Sequence, residues 1–249
     1  MKPAMMRSQA TADGVVIREF VIDEIPGVLW SPADATGTRP LVLLGHGGGQ
    51  HKSAPGVVAR ARRYVLNCGF AAAAIDAPGH GDRPKTARDL EFHAELTARR
   101  AAGEAVSALI DRENVGRVAR AVPDWRATLD ALQAELGPGP VGYWGVSLGT
   151  LIGIPFVATE PRVNAAVFGL APHQSLAAAA ARITIPVEFL VQWDDELVPR
   201  QSALALFDAF GSAEKSLHAN PGQHMDVPRF EVDSAERFFT RHLGGASLS

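Results

Sequence analysis

Short, continuously apolar segments alternate with amphipathic segments of helical length along most of this 249-residue chain. Strands that are apolar throughout are typical of a parallel sheet, because helices cover both faces of such a sheet. The sequence therefore predicts an α/β fold with a mostly parallel, eight-stranded sheet and helices on both faces. The eight predicted strands, of which the first two form a hairpin and the last is weakly apolar, are 15–22, 26–30, 40–44, 71–75, 141–144, 165–169, 187–192 and 215–219.

Helices are predicted in the segments between these strands. The segment 123–136 begins with Pro123 in its first turn and ends just before Gly137, which is the usual asymmetry of helix ends. At this length we expect a single domain, spanning 1–249, with a full hydrophobic core. The other predicted helices are 57–67, 200–210 and 234–242, together with a short one around the alanine run 177–181.

The segment 82–120 interrupts the alternation of strands and helices. It is rich in charged residues, and among its few apolar positions Val106, Leu109 and Ile110 have helical spacing. We therefore predict that this segment is a helical insertion. In an enzyme, such an insertion would form a cap or lid over the active site. The alternative is a solvated helical excursion that takes no part in catalysis.

The composition argues against a nucleic-acid partner, an internal disulfide, a secretory signal and a membrane span. The net charge is −3 and no run of Lys or Arg is present, so no nucleic-acid partner is expected. The single cysteine, Cys68, cannot form an internal disulfide, and its apolar surroundings indicate a structural role. Residues 1–14 lack the apolar core of a secretory signal, and no segment is apolar enough for a membrane span, so a cytoplasmic location is the default expectation. The sequence leaves the oligomeric state open.

The strongest local motif is Gly-Val-Ser-Leu-Gly at 145–149. It follows the predicted strand 141–144 and precedes the helix-like segment 150–158, which is the strand–turn–helix setting of a nucleophile elbow. The turn is tight, so only glycine fits two residues to either side of the serine. We therefore predict that Ser147 is a nucleophile, with its hydroxyl at the strand tip beside the positive end of the next helix.

A serine hydroxyl becomes a good nucleophile only with a base to take its proton and an acid to orient that base. Three carboxylates follow the predicted strand 187–192 and could supply the acid: Asp194, Asp195 and Glu196. Of these, Glu196 is expected to face solvent. The carboxyl ends of parallel strands lie at one edge of the sheet, so carboxylates that follow this strand can reach the edge where the predicted nucleophile elbow also lies.

The predicted base is His224, in a loop rich in Pro and Gly that follows the last strand. Such a loop is well placed to deliver an imidazole to the carboxyl edge of the sheet. Two other histidines lie nearby in sequence, but His218 is within a strand-like segment and His242 within a predicted helix. Their positions are explained by structure alone.

A glycine-rich segment, Gly-His-Gly-Gly-Gly at 45–49, directly follows another buried strand. Acyl transfer develops negative charge on the carbonyl oxygen, which backbone N–H donors can stabilise. We predict that Leu148, the residue after the nucleophile, supplies one donor and that Gly48 supplies the other, with Gly49 as the alternative. No Gly-Lys-Ser/Thr pattern follows, so a nucleotide phosphate site is not expected. His46 is expected to support the loop through hydrogen bonds without transferring protons.

With these motifs the chain resembles the α/β-hydrolase superfamily, close to its dienelactone-hydrolase-like and small esterase branches. The resemblance spans about residues 15–243 and implies the α/β-hydrolase fold, with the chain order nucleophile, acid, base. The Asp-x-x-Val-Pro spacing of the family's acid loop favours Asp195, with Asp194 as the alternative. Dienelactone hydrolase itself has a cysteine nucleophile, whereas Ser147 stands here, which argues against activity on that substrate.

A further segment, Asp-Ala-Pro-Gly-His-Gly at 76–81, also resembles this superfamily. In the family the residues that match Asp76 and His80 shape the loop, and we assign them no catalysis. The resemblance implies that Ser147 attacks a carbonyl, that an acyl-enzyme forms, and that water activated by His224 releases the acid. Neither an organic cofactor nor a metal is expected, since the histidines are scattered and only one thiol is present.

The leading hypothesis is an esterase that cleaves carboxylic esters of small or medium size, with a small-molecule acyl substrate as its partner. The same three residues could also serve an acyltransferase, thioesterase, peptidase or carbon–carbon hydrolase. A non-catalytic ligand-binding protein on the same scaffold is disfavoured, because all three catalytic positions are filled. The predicted walls of the substrate pocket are Trp193, His173 and Met225, with Phe92 and Leu96 from the insertion.

Overall fold

A computed structural model describes residues 4–34, 37–104 and 106–244, except for the side chains at 100, 107 and 111. Within these ranges the strands are β1 (Met5–Ala12), β2 (Val15–Ile22), β3 (Ile25–Pro32), β4 (Leu41–Gly45), β5 (Ala71–Ile75), β6 (Val141–Gly145), β7 (Val163–Gly169), β8 (Val187–Gln192) and β9 (Lys215–Asn220). The helices are α1 (Pro55–Cys68), α2 (Ala87–Ala101), α3 (Ser107–Leu136), α4 (Leu148–Val157), α5 (Ala177–Ala180), α6 (Arg200–Ala209) and α7 (Phe230–Leu243).

The strands form one sheet in the order β1-β2-β3-β5-β4-β6-β7-β8-β9. The three strand pairs β1–β2, β2–β3 and β3–β5 are antiparallel. Every other pair in this order, from β5 to β9, is parallel. The parallel strands therefore end at a common edge, and this edge carries the loops that follow β4, β6, β7, β8 and β9. The predicted α/β-hydrolase fold with a mostly parallel sheet is confirmed.

Each face of the sheet is buried under helices, which explains why the central strands are apolar throughout. On one face, Tyr64 of α1 and Phe239 of α7 pack against residues such as Val42 and Leu190. On the other face, side chains of α3, α4, α5 and α6 join a second cluster. In β5 the four consecutive alanines are fully buried, because helices close in on both sides of that strand.

The structure corrects the predicted number of strands from eight to nine. The additional strand, β1, pairs with β2 through an Asp13-Gly14 turn in which both residues have positive φ, 49° and 76°. Such a two-residue turn is typical of tight hairpins. All eight residues of β1 are exposed, so backbone pairing holds the strand in place and no apolar pattern marks it in the sequence.

The structure also corrects the predicted start of the helix at 123–136. α3 is continuous from Ser107 to Leu136, with Pro123 in its interior. Proline removes one backbone hydrogen bond from a helix. Here Ala121 and Trp125, on either side of Pro123, are both buried in the core, so tertiary packing carries the helix through the proline. Although α3 is long, neither it nor any other described helix is apolar enough to cross a membrane.

The segment 82–120 contains α2 and the first part of α3, so the structure makes it helical. Thr86 and Asp89 cap α2 reciprocally: Asp89 Oδ2 accepts the Thr86 N–H at 2.9 Å, and Thr86 Oγ1 accepts the Asp89 N–H at 3.2 Å. Between the two helices, the Arg117 guanidinium lies 4.5 Å from the ring centroid of Phe92. These contacts hold the insertion together, and its role as a lid stays a prediction.

Candidate active site

Ser147 lies in the tight turn between β6 and α4, with φ 55° and ψ −119°. Residues other than glycine rarely adopt this conformation, which is associated with functional sites. A Cβ at position 145 would approach the carbonyl carbon and oxygen of Gly149 to 2.7 Å, and a Cβ at position 149 would approach Gly45 O to 2.5 Å. Only glycine therefore fits on either side of the strained serine.

Two buried hydroxyl groups brace this turn. The Tyr143 hydroxyl donates to Gly149 O at 2.8 Å. Thr150 Oγ1 accepts the N–H of Gly169, at the end of β7, at 2.9 Å and lies 2.6 Å from the carbonyl oxygen of the same residue. The N–H of Ser147 also donates to Gly169 O, at 3.0 Å. The contacts with Gly169 fasten the strained turn to the neighbouring strand β7, and the Tyr143 hydrogen bond fastens it to β6, so together they offset the cost of the strain.

The structure brings Ser147, His224 and Asp195 together in one hydrogen-bonded line. His224 Nε2 lies 2.9 Å from Ser147 Oγ, and His224 Nδ1 lies 2.8 Å from Asp195 Oδ2. Because a carboxylate only accepts hydrogen bonds, Nδ1 carries the proton and Nε2 is left to accept the serine hydroxyl. The side chains of His224 and Asp195 are only 5% and 3% exposed, so water does not compete for these contacts.

The environment of Asp195 keeps its carboxyl group ionised. Its Oδ1 accepts the backbone N–H groups of Leu197 and Val198, at 2.8 and 2.9 Å. Burial acts to raise the pKa of Asp195, but the hydrogen bonds from His224 and from these two N–H groups outweigh it, so the pKa is lowered. The side chain of Asp194, the alternative acid, is exposed.

Glu196 makes a contact with His224 that the sequence did not indicate. It is exposed, as expected, but its Oε2 accepts the backbone N–H of His224 at 2.9 Å. The same loop is held from β8 by Gln192, whose Nε2 lies 3.3 Å from Pro221 O and 3.2 Å from Gln223 O. The loops that carry Asp195 and His224 are therefore fastened to each other as well as to the sheet.

We expect Glu196→Ala to lower kcat for ester hydrolysis by about 3- to 10-fold with little change in KM. A hydrogen bond of this kind contributes about 0.5–1.5 kcal/mol, and its loss loosens the loop that positions His224. Glu196→Gln keeps an acceptor and should stay close to wild type. The exposed neighbour Asp194 provides the matched control, Asp194→Ala, and steady-state kinetics on one p-nitrophenyl ester compares all three. Equal impairment of the Ala and Gln variants would contradict this role.

Among the residues that the structure describes, neither predicted oxyanion donor has a backbone acceptor for its N–H group. Leu148 is the first residue of α4, where helical N–H groups have no partner within the helix, and no backbone acceptor for its N–H exists among the residues described. The same holds for Gly48, in the exposed loop after β4, where an added Cβ would meet nothing within 4 Å. Gly49, the alternative, is held at φ 74°.

His46 supports this loop in the way the sequence predicted. Its Nε2 accepts the N–H of Ala77 at 3.0 Å, so Nδ1 carries the proton and donates to Gly47 O at 2.9 Å. Burial lowers the pKa of His46 and keeps the ring neutral. Both nitrogens are thus occupied by backbone groups, and none is left for proton transfer to a substrate.

A buried ion pair fastens the same loop to the start of the insertion. Asp76 is fully buried and accepts the N–H and Nζ of Lys52 at 2.8 and 2.9 Å, as well as the N–H of Asp82 at 2.8 Å. Burial acts to lower the pKa of Lys52, but its hydrogen bonds to Asp82 and Asp76 outweigh burial and raise it. Asp76 therefore shapes the loop, as the sequence analysis expected.

The predicted pocket residues follow the ends of β7, β8 and β9. Trp193 is 40% exposed, and the Arg200 guanidinium lies 4.2 Å from its ring centroid. His173 is half-buried, and its N–H donates to Ser202 Oγ at 3.0 Å. Met225, directly after the base, is 74% exposed. Their contact with a substrate stays a prediction, as does that of Phe92 and Leu96.

Sequence reasoning missed the residues that support Ser147, His224 and Asp195. Tyr143 and Thr150 read as ordinary core residues, and Gln192 as the end of a strand. One signal was available, because a polar amide at the end of an otherwise buried strand needs a hydrogen-bond partner. No local signal pairs Lys52 with Asp76, which lies 24 residues further along the chain.

No protein-family model and no curated protein sequence matches the chain. Among solved structures, a PEG-bound cold-adapted esterase from an Arctic intertidal metagenomic library is 35% identical, with a TM-score of 0.79, and the match covers 94% of this chain and 97% of that one. Acetyl xylan esterase 1 from Thermoanaerobacterium sp. is 16% identical, with a TM-score of 0.70 and coverages of 97% and 88%. A ferulic-acid-bound protein from Butyrivibrio proteoclasticus is 15% identical, with a TM-score of 0.69 and coverages of 96% and 100%. The acetyl xylan esterase and the ferulic-acid-bound protein share the fold of this chain.

Proposed function

The chain belongs to the α/β-hydrolase family of esterases represented by the Arctic cold-adapted enzyme, and we propose that it cleaves carboxylic esters with a serine nucleophile and an acyl-enzyme intermediate. One observation carries this proposal. The hydroxyl of Ser147, the imidazole of His224 and the carboxylate of Asp195 form a continuous line with contacts of 2.9 and 2.8 Å. Such a line activates a serine hydroxyl without a metal or an organic cofactor.

The reaction begins when the ester carbonyl lies against Ser147 Oγ. His224 Nε2 takes the hydroxyl proton while Oγ forms a bond to the carbonyl carbon, and the carbonyl oxygen becomes negative. In the proposal, the N–H groups of Leu148 and Gly48 stabilise this oxyanion. The negative charge of Asp195 stabilises the imidazolium that has formed. When the carbon–oxygen bond to the alcohol breaks, His224 returns the proton to the leaving alkoxide, which departs as alcohol.

The second half of the reaction repeats the first with water as the nucleophile. His224 takes a proton from water, the hydroxide attacks the acyl carbon, and the imidazolium then protonates Ser147 as the acid leaves. In the proposal, the N–H groups of Leu148 and Gly48 serve both halves, because the negative charge develops on the same oxygen. We propose small or medium esters as substrates, with the insertion at 82–120 as a lid that limits access of water and of larger acyl groups.

A series of p-nitrophenyl esters, from acetyl to dodecanoyl, tests this function. We expect hydrolysis with the highest kcat/KM for short or medium acyl chains, and free acid as the product. Adding an alcohol or hydroxylamine to the same assay separates hydrolysis from acyl transfer. Release of p-nitrophenol only in the presence of the added acceptor would make the chain an acyltransferase, and turnover of thioesters alone would make it a thioesterase. No turnover of any member of the series would contradict the proposal.

A further inference from the structure

A second cluster of ionisable side chains shares no residue with the line at Ser147. Glu188 of β8, His218 of β9 and Glu231 of α7 place their ligand atoms within 4.8 Å of one another. Alternate residues of a strand share a face, so Glu188 lies on the same face as Leu190, which packs in the cluster formed with α1 and α7. Three separate elements therefore converge on this point beneath α7.

The contacts in this cluster centre on the imidazole of His218. Its Nδ1 lies 2.8 Å from Glu231 Oε2, and its Nε2 lies 3.7 Å from Glu188 Oε2. Glu188 and Glu231 are only 3% and 2% exposed. The other oxygen of Glu188, Oε1, is buried and has no hydrogen-bond partner within the described part of the chain. One of the two buried carboxylates is thus left half-satisfied.

The surroundings compensate these two carboxylates mainly with neutral donors. Ser234 Oγ donates to Glu188 Oε2 at 3.0 Å, and Asn220 Nδ2 donates to Glu231 Oε1 at 2.8 Å. Two neighbouring carboxylates out of contact with water are costly unless a cation lies between them.

We propose that Glu188, His218 and Glu231 bind one divalent transition-metal ion of the zinc class. One imidazole nitrogen and two carboxylate oxygens suit Zn²⁺, whereas Ca²⁺ and Mg²⁺ prefer oxygen ligands alone. Two ligands about 2.1 Å from a tetrahedral ion lie about 3.4 Å apart. His218 Nε2 and Glu188 Oε2, which are 3.7 Å apart, are close to this value and form the first pair of ligands. An imidazole binds one ion through one nitrogen, so Glu231 exchanges its 2.8 Å contact with Nδ1 for a bond to the ion. This movement is short, because one ligand atom from each of the three residues already lies within 4.8 Å of the others.

A cleft that is open to solvent lies next to Glu188. Glu188 and Ser234 line a surface cleft of about 470 Å³ beside β8, β9 and α7, from which an ion would reach the carboxylate of Glu188. The ion would join the strand that leads to Asp195 and the strand that leads to His224. Metal binding would therefore stabilise the elements that carry two of the three catalytic groups. It is a stabilising site, and no step of ester cleavage passes through it.

Zinc binding to the full chain tests this site. We expect metal-free protein to take up one Zn²⁺ per chain, and a Zn²⁺ concentration about 100-fold above Kd to raise Tm by about 5–10 °C. Glu188→Gln and His218→Asn should weaken binding at least about tenfold, which at the same Zn²⁺ concentration reduces the rise in Tm to about half or less. The matched control is His242→Asn, since His242 also faces a glutamate, at 3.7 Å, but no second carboxylate from the described ranges joins it in a cluster of possible ligands. His224→Asn should keep the rise in Tm. This variant therefore distinguishes the proposed site from zinc bound at Ser147, His224 and Asp195.

The proposal is overturned if the wild type binds no Zn²⁺, or if the Glu188 and His218 variants keep the full rise in Tm. Should a variant fail to fold, Co²⁺ titration of the wild type decides the matter. Bound Co²⁺ should give a visible absorption spectrum of low coordination number, which Zn²⁺ displaces, and its absence counts against the site. These readouts involve no ester turnover, so they stand or fall separately from the proposed function.

Discussion

Replacing Ser147 by alanine should lower kcat for ester hydrolysis by about 10⁴- to 10⁶-fold, the largest effect expected of any single substitution in this chain. The variant lacks the oxygen that forms the acyl bond, and His224 is left without a proton to take. The activity that remains comes from binding and from the N–H groups around the oxyanion. Steady-state and single-turnover kinetics on a short p-nitrophenyl ester measure the loss.

The Ser147→Ala variant should fold normally, because it keeps the backbone hydrogen bond to Gly169 and the glycines on either side of the turn. Its Tm should therefore stay close to that of the wild type. Ser53 is exposed in the loop after β4 and provides the matched control, Ser53→Ala, which should retain full activity. If Ser147→Ala hydrolyses esters at more than a few per cent of the wild-type rate, the nucleophile lies elsewhere.

Asp195→Asn should lower kcat by about 10²- to 10⁴-fold. The amide can no longer hold His224 in the tautomer that leaves Nε2 free, nor stabilise the imidazolium. Because Asn keeps an oxygen for the N–H groups of Leu197 and Val198, the loop should stay in place. Kinetics at several pH values on the same ester measure the effect.

The neighbouring acid gives this prediction its control, since Asp194→Asn changes the same functional group one residue earlier and should stay within about twofold of wild type. A loss with Asp194→Asn and none with Asp195→Asn would reverse the assignment. The lowered pKa of Asp195 also predicts a stability difference between wild type and Asp195→Asn. It is fully present above the ordinary carboxyl pKa and disappears as the pH falls through the lowered value, which urea unfolding at several pH values can measure.

The parts of the fold that follow from local pattern were predictable from the sequence. A buried parallel strand such as β5 must be apolar throughout, and the turn at Ser147 requires glycine at 145 and 149, so each is visible within a few residues. The loop with His224 was found because its Pro and Gly residues follow the last strand. These features predict most of the sheet, and they put Ser147, Asp195 and His224, which the structure joins by hydrogen bonds, at its carboxyl edge.

The remainder depends on contacts between residues far apart in sequence. β1 has no buried side chain and is held by pairing with β2, so apolar patterning could not indicate it. α3 continues through Pro123 because both halves pack on the sheet. The cluster of Glu188, His218 and Glu231 has no metal-binding spacing along the chain and forms only when two strands and a helix converge.

Labelling with a fluorophosphonate, followed by peptide mass mapping, tests most directly whether His224 and Asp195 activate the hydroxyl of Ser147. The probe bonds covalently to a serine only when a neighbouring base has made it nucleophilic. The predicted result is one adduct per chain, carried by Ser147, with labelling lost in Ser147→Ala and slowed severely in His224→Asn. An unlabelled wild type, or an adduct on another residue that persists in Ser147→Ala, would contradict the account.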